Sequence, residues 1–176
     1  QAISGTIGGH DSRHPAHSPA PQGMWSVFGL SCVSCFFVFA CSVPVTKALC
    51  KSHGWTVKKS SGCQVAHSIV SYIFACVASP AALYALFVSA PPDFAAQSSL
   101  YIDFPHTHFI LWWAAGYFAY DLFIQIVVFR DVSMTVHALF SGGGAVLAAC
   151  APRMQNMYCW LMAFNELPSI CGLQLR

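Results

Sequence analysis

Four ionisable side chains, His67, Asp121, His137 and Glu166, stand in stretches of sequence that are otherwise almost free of charge. A carboxylate beside an imidazole accepts its N–H, fixes its tautomer and leaves the second ring nitrogen poised as a base or nucleophile, the arrangement that acid–base and acyl-transfer chemistry use. The same pairing is also the least costly way to bury both groups for structure alone. The residues considered for chemistry are His137 as base or nucleophile, with Asp121 and Glu166 orienting it.

The elements that must position these groups are apolar helices. Hydrophobic residues make up 56% of the chain and charged residues 8%, against about 25% charged in soluble domains. So few charges cannot cover the surface of a water-soluble protein of 176 residues. The expected fold is all-α, a polytopic transmembrane bundle of about five spans. Net charge is +2, with no basic, aromatic-interleaved stripe, so nucleic acid is excluded as a partner.

Residues 1–23, rich in Gly, Pro and Ser and holding His10, His14 and His17, read as an irregular tail, and 24–176 as the membrane domain. Residues 24–46 carry no charge and at about 1.5 Å per residue span roughly 34 Å, enough for a hydrocarbon core of about 30 Å. Lys47, Lys51, Lys58 and Lys59 then mark the inner, cytoplasmic-equivalent side. The second span is expected over 64–90, kinked or divided at Pro80. A loop over 91–108, with two Asp and no Lys or Arg, lies outside. Residues 109–129 form the third span, Arg130 and Asp131 turn the chain back on the inner side, and 132–151 form the fourth, where Gly142, Gly143 and Gly144 permit close helix approach. A fifth span covers 154–170.

Counting along these helices gives depths. Asp121 lies roughly 13 Å from the inner end of its helix, His137 roughly 9 Å from the inner start of the next, and Glu166 roughly 18 Å down from the outer side. These three converge in the inner half, and His67 is expected nearer the inner surface. Ionisable groups at such depths face a bundle interior or a water-filled cavity. His106 and His108 read as interfacial beside Trp112 and Trp113. No metal or cofactor is expected, Cys32 and Cys35 read as small apolar groups inside a helix, and Cys50 and Cys63 could pair across the Lys-rich loop.

The segment Gly116-Tyr117-Phe118-Ala119-Tyr120-Asp121-Leu122, His137 on the next helix, Phe164-Asn165-Glu166-Leu167-Pro168-Ser169, and upstream Trp55 with Val65-Ala66-His67-Ser68, together resemble the TLC-domain family, membrane proteins that include the ceramide synthases. The resemblance covers roughly residues 55–170 and is most specific in G-Y-F-x-x-D. It implies a polytopic helical protein concerned with making, sensing or moving lipids, many members being of the endoplasmic reticulum. In the synthases an adjacent His pair serves acyl transfer; here Val136 precedes the single His137, and the resemblance is nearer the non-synthase members. The family pattern continues into further helix after the Glu166 region, so the domain is expected to be C-terminally incomplete.

The resulting expectation is a lipid-binding or lipid-metabolising membrane protein that holds an acyl chain between helices. His137, Asp121 and Glu166 are its candidate catalytic residues, and His67, Tyr117, Tyr120 and Asn165 its candidate lipid contacts. The alternative is a catalytically inactive accessory subunit packed among other membrane subunits of a large organellar complex, mitochondrial or plastid. A transporter or channel ranks last, since no inverted repeat is visible.

Overall fold

A computed structural model describes residues 23–53, 59–87, 105–151 and 154–171. Its elements are α1 (Met24–Ser52), α2 (Lys59–Phe87), α3 (Pro105–Ile124), which continues as one π-helical turn (Gln125–Phe129), α4 (Val132–Cys150) and α5 (Gln155–Cys171). All five expected helices are present, and no strand occurs among the described residues. Four helices are long and apolar enough to cross a membrane: α1, α2, α3 with its π turn, and α4. The fifth has 17 residues, or about 25 Å at helical rise. Large apolar side chains on the outside, such as Leu30, Phe37, Leu139 and Phe140, would be a liability in water and are the normal lipid-facing surface of a bilayer protein. The chain is an integral membrane protein built as an all-α bundle.

Several boundaries move from their expected places. Helix α1 runs on to Ser52, because nothing between Lys47 and Ser52 breaks a helix and lysines at a span's end carry their charge to the interface. Helix α2 begins at Lys59, earlier than expected, and runs through Pro80 undivided. Proline is tolerated there because neighbouring helices in a membrane bundle compensate for the missing N–H. Residues 1–22 and 88–104, expected as tail and outer loop, fall outside the described residues. Cys50 and Cys63 are both free thiols.

Helix α3 is the hub. It packs against α1, α2, α4 and α5, and 67% of its membrane-spanning window is buried, against 6% for α1. Two close approaches fix its position. A methyl group at Gly116 would overlap the Phe28 carbonyl oxygen and stand 2.7 Å from Ser31 Cβ. With no side chain at Gly116, α1 comes near enough for the Ser31 hydroxyl to donate to the Trp113 carbonyl at 2.7 Å. On the other side, Phe118 rests on Gly142 of α4. Of the three consecutive glycines, Gly142 and Gly144 pack closely, and Gly143 has nothing within 4 Å.

The turn between α3 and α4 is tight. The π turn closes with Arg130 in the left-handed region (φ 55°), and Asp131 caps α4 by accepting from the Met134 N–H at 3.1 Å. Its backbone carbonyl takes the Thr135 hydroxyl at 2.6 Å. Unpaired N–H groups of the first turn are thereby partly satisfied at the membrane edge.

Gly116→Ala is expected to destabilise the bundle by about 1–3 kcal/mol, the usual cost of forcing atoms into a filled contact. Gly143→Ala, made into open space, is expected to be neutral or stabilising, since alanine is the better helix former. Thermal unfolding of both variants in mild detergent checks the pair.

Candidate functional site

Asp121 is 4% exposed on α3. Its partner is His67 of α2: His67 Nε2 lies 3.3 Å from Asp121 Oδ1. The pairing expected between Asp121 and His137 is therefore replaced by one with a helix two elements earlier. The physical reason is the early start of α2. With Lys59 as its first residue, His67 sits eight residues, roughly 12 Å, along its helix. Asp121 sits eight residues before Phe129, the end of the π turn, and the two share a depth. The expected shallow position of His67 is corrected accordingly.

Gln125, on the same face as Asp121 one turn later, completes the centre. Its Nε2 donates to Asp121 Oδ1 at 3.1 Å and lies 3.2 Å from His67 Nε2. Gln125 is the first residue of the π turn and is 3% exposed. Single π turns inside helices are frequently found at functional sites, where they re-aim one side chain. On the far side of the imidazole, Nδ1 lies 3.4 Å from the Tyr120 hydroxyl. Phe129 meets the ring edge-on at a centroid distance of 5.4 Å. Tyr117, the other tyrosine of the motif, donates to Ser71 Oγ at 3.0 Å, which in turn donates to the His67 carbonyl at 3.1 Å. Its ring stacks on Phe74 at 3.7 Å. Tyr117 and Tyr120 thus hold α2 against α3, and both are buried.

His137 lies elsewhere. It is exposed on the flank of α4 and lines a cavity of about 220 Å³ with Phe118, Phe140, Ser141, Tyr158, Leu161 and Met162. No hydrogen bond or ion pair joins His137 to Asp121, whose contacts are to Gln125 and His67. The Tyr158 hydroxyl crosses from α5 to donate to the Ser141 carbonyl, and its ring fills the space that a side chain at Gly144 would take. Phe140 and Leu161, 76% and 53% exposed, lie at its rim, so the cavity opens on the outer surface of the bundle. The side chains of Asn165 and Glu166 fall outside the described residues, although both positions belong to α5.

Counting along a helix gives depth only where the helix start is right, as His67 shows, and gives no rotation about the axis. His137 shares a depth with Asp121 and points to another face. Gln125, an uncharged amide, does not stand out among the ionisable groups of the sequence. Its spacing of four from Asp121 in an apolar stretch is the signal that marks it. At the outer end, Trp112 Nε1 donates to His108 Nε2 at 2.8 Å.

Loss of the Tyr158 hydroxyl in Tyr158→Phe is expected to cost about 0.5–1.5 kcal/mol, the usual worth of one hydrogen bond. Gly144→Ala, whose methyl would stand 2.6 Å from the Tyr158 ring, is expected to cost more, by about 1–3 kcal/mol. Comparing the two unfolding midpoints in detergent tests whether Tyr158 is the tie that shapes the cavity.

No family model, curated protein or solved structure matches the chain, which leaves its own side chains as the basis for a functional reading.

Proposed function

We propose that the chain is a lipid-handling membrane protein that holds an acyl chain in the lateral cavity between α3, α4 and α5, with His137 as the polar contact for the lipid's carbonyl or headgroup oxygen. The observation that carries this reading is the cavity's composition and its opening. Apolar walls from Phe118, Phe140, Leu161 and Met162 surround His137, Ser141 and Tyr158, and the rim carries the exposed side chains of Phe140 and Leu161. Pockets for small ligands generally pair apolar walls with a few placed polar groups, and this one follows that rule. The resemblance to TLC-domain proteins, especially those without synthase activity, points the same way.

Binding is favoured over acyl transfer. A base or nucleophile needs a group that orients it, and Asp121, one of the two carboxylates expected to orient His137, is engaged by His67 and Gln125. Tyr120 and Tyr117 support the bundle and are removed from the lipid contacts proposed here. His67 likewise belongs to the α2–α3 centre.

Native mass spectrometry of the protein released from mild detergent tests the reading. The wild type is expected to carry an acyl lipid. Leu161→Trp, which fills the mouth, is expected to lose it, and His137→Ala to exchange it for lipids with a different headgroup. If both variants keep the same lipids and the protein appears only with other membrane subunits, it is an accessory subunit and the lipid reading is wrong.

A further inference from the structure

His67 Nε2, Asp121 Oδ1 and Gln125 Nε2 form a nearly equilateral triangle with sides of 3.1, 3.2 and 3.3 Å. Hydrogen bonds close such a triangle poorly. An imidazole nitrogen offers one proton or one lone pair in the ring plane, so it serves one neighbour fully. If Nε2–H points at the carboxylate, it faces the Gln125 amide N–H groups; if Nε2 is the acceptor from Gln125, its lone pair faces the carboxylate oxygen. With Asp121 ionised, one side of the triangle sets like against like in either tautomer.

A half-turn of the Gln125 carboxamide exchanges its two ends and presents Oε1 in place of the nitrogen. The three corners are then a neutral imidazole nitrogen, a carboxylate oxygen and an amide oxygen, each carrying a lone pair and none carrying a proton. Atoms spaced this way are about 2.0–2.2 Å from a common point just off their plane, the ligand distance of zinc and similar first-row ions. We propose that His67, Asp121 and Gln125 are the three protein ligands of a divalent metal site, of zinc type, between α2 and the α3–π junction.

Two further features fit. A metal-bound histidine normally donates its other ring N–H to a neighbouring oxygen, and the Tyr120 hydroxyl stands 3.4 Å from Nδ1. The π turn beginning at Gln125 brings the amide to the same point as Asp121. Three protein ligands leave a fourth position open, as zinc sites that act on bound water or substrate do. One carboxylate and one anionic fourth ligand, hydroxide in the simplest case, balance a 2+ ion, so the loaded centre carries no net charge into the membrane. The site is separate from the lipid cavity and stands or falls without it.

Zinc chloride added to the full chain in chelator-treated detergent tests the proposal, with bound metal measured by elemental analysis after gel filtration. The decisive variant is Gln125→Glu. A metal ligand gains charge by that change, so zinc is expected to bind more tightly, whereas a hydrogen-bond donor to Asp121 is replaced by a repelling carboxylate and the fold is expected to weaken. Tyr120→Phe, which leaves all three ligands in place, is expected to weaken binding about tenfold. Asp121→Asn is expected to lose the ion; it leaves all nine cysteines and the other histidines unchanged, so zinc held by those groups cancels in the comparison. Equal zinc in Asp121→Asn and wild type, or a Gln125→Glu protein that binds no more zinc than wild type, overturns the site and leaves a hydrogen-bonded centre.

Discussion

A carboxylate carried into the inner half of a membrane bundle must be met there by other groups, because neither lipid nor apolar side chains can replace its water. Asp121 sets that requirement, and much of the molecule is arranged to meet it. His67 comes from α2 at matching depth, Gln125 from the π turn, and Tyr120 supports the imidazole from behind. The motif around Asp121 then distributes its neighbours. Gly116 admits α1, Tyr117 bonds to α2 through Ser71, Phe118 meets α4, and Tyr120 meets both α1 and His67. Within six residues of one helix, each of three neighbouring helices has a specified contact. That explains why α3 is the buried hub and α1, which contributes chiefly Ser31 and Thr46 to the buried set, lies at the rim.

The helices themselves were legible in the sequence, because charge-free runs of spanning length have few other physical solutions. Boundaries drifted where local chemistry permits a helix to continue past the hydrocarbon edge, as with Lys47 to Ser52 in α1 and Lys59 to Gly62 in α2. That drift decided the site. Placing the start of α2 at residue 64 put His67 near the surface; starting it at Lys59 brings His67 level with Asp121. A sequence also gives depth far better than rotation, so His137 was assigned to a centre whose level it shares and whose face it does not. The π turn could not be read at all, since it adds one residue to a helical turn without changing composition.

Two polar sites result, with different characters. The α2–α3 centre is enclosed, and its residues come from helices tied together by tyrosine hydroxyls. The α4–α5 cavity holds His137, Ser141 and Tyr158 among apolar walls and opens on the outer surface of the bundle. Enclosure suits an ion or a fixed structural pair; a lateral opening suits a chain that enters from the bilayer. Phe118, which lines the cavity, and Asp121, which belongs to the α2–α3 centre, are three residues apart on α3.

The account depends most on Asp121 being partnered by His67 and not by His137. A double-mutant cycle measured by unfolding in detergent tests this directly, with Asp121→Ala combined first with His67→Ala and then with His137→Ala. Contacting residues show coupling of about 0.5–3 kcal/mol, whereas separate ones add to within about 0.5 kcal/mol. Coupling in the His67 cycle and additivity in the His137 cycle is the predicted result. Coupling confined to the His137 cycle would contradict the account and return the centre to the α3–α4 face.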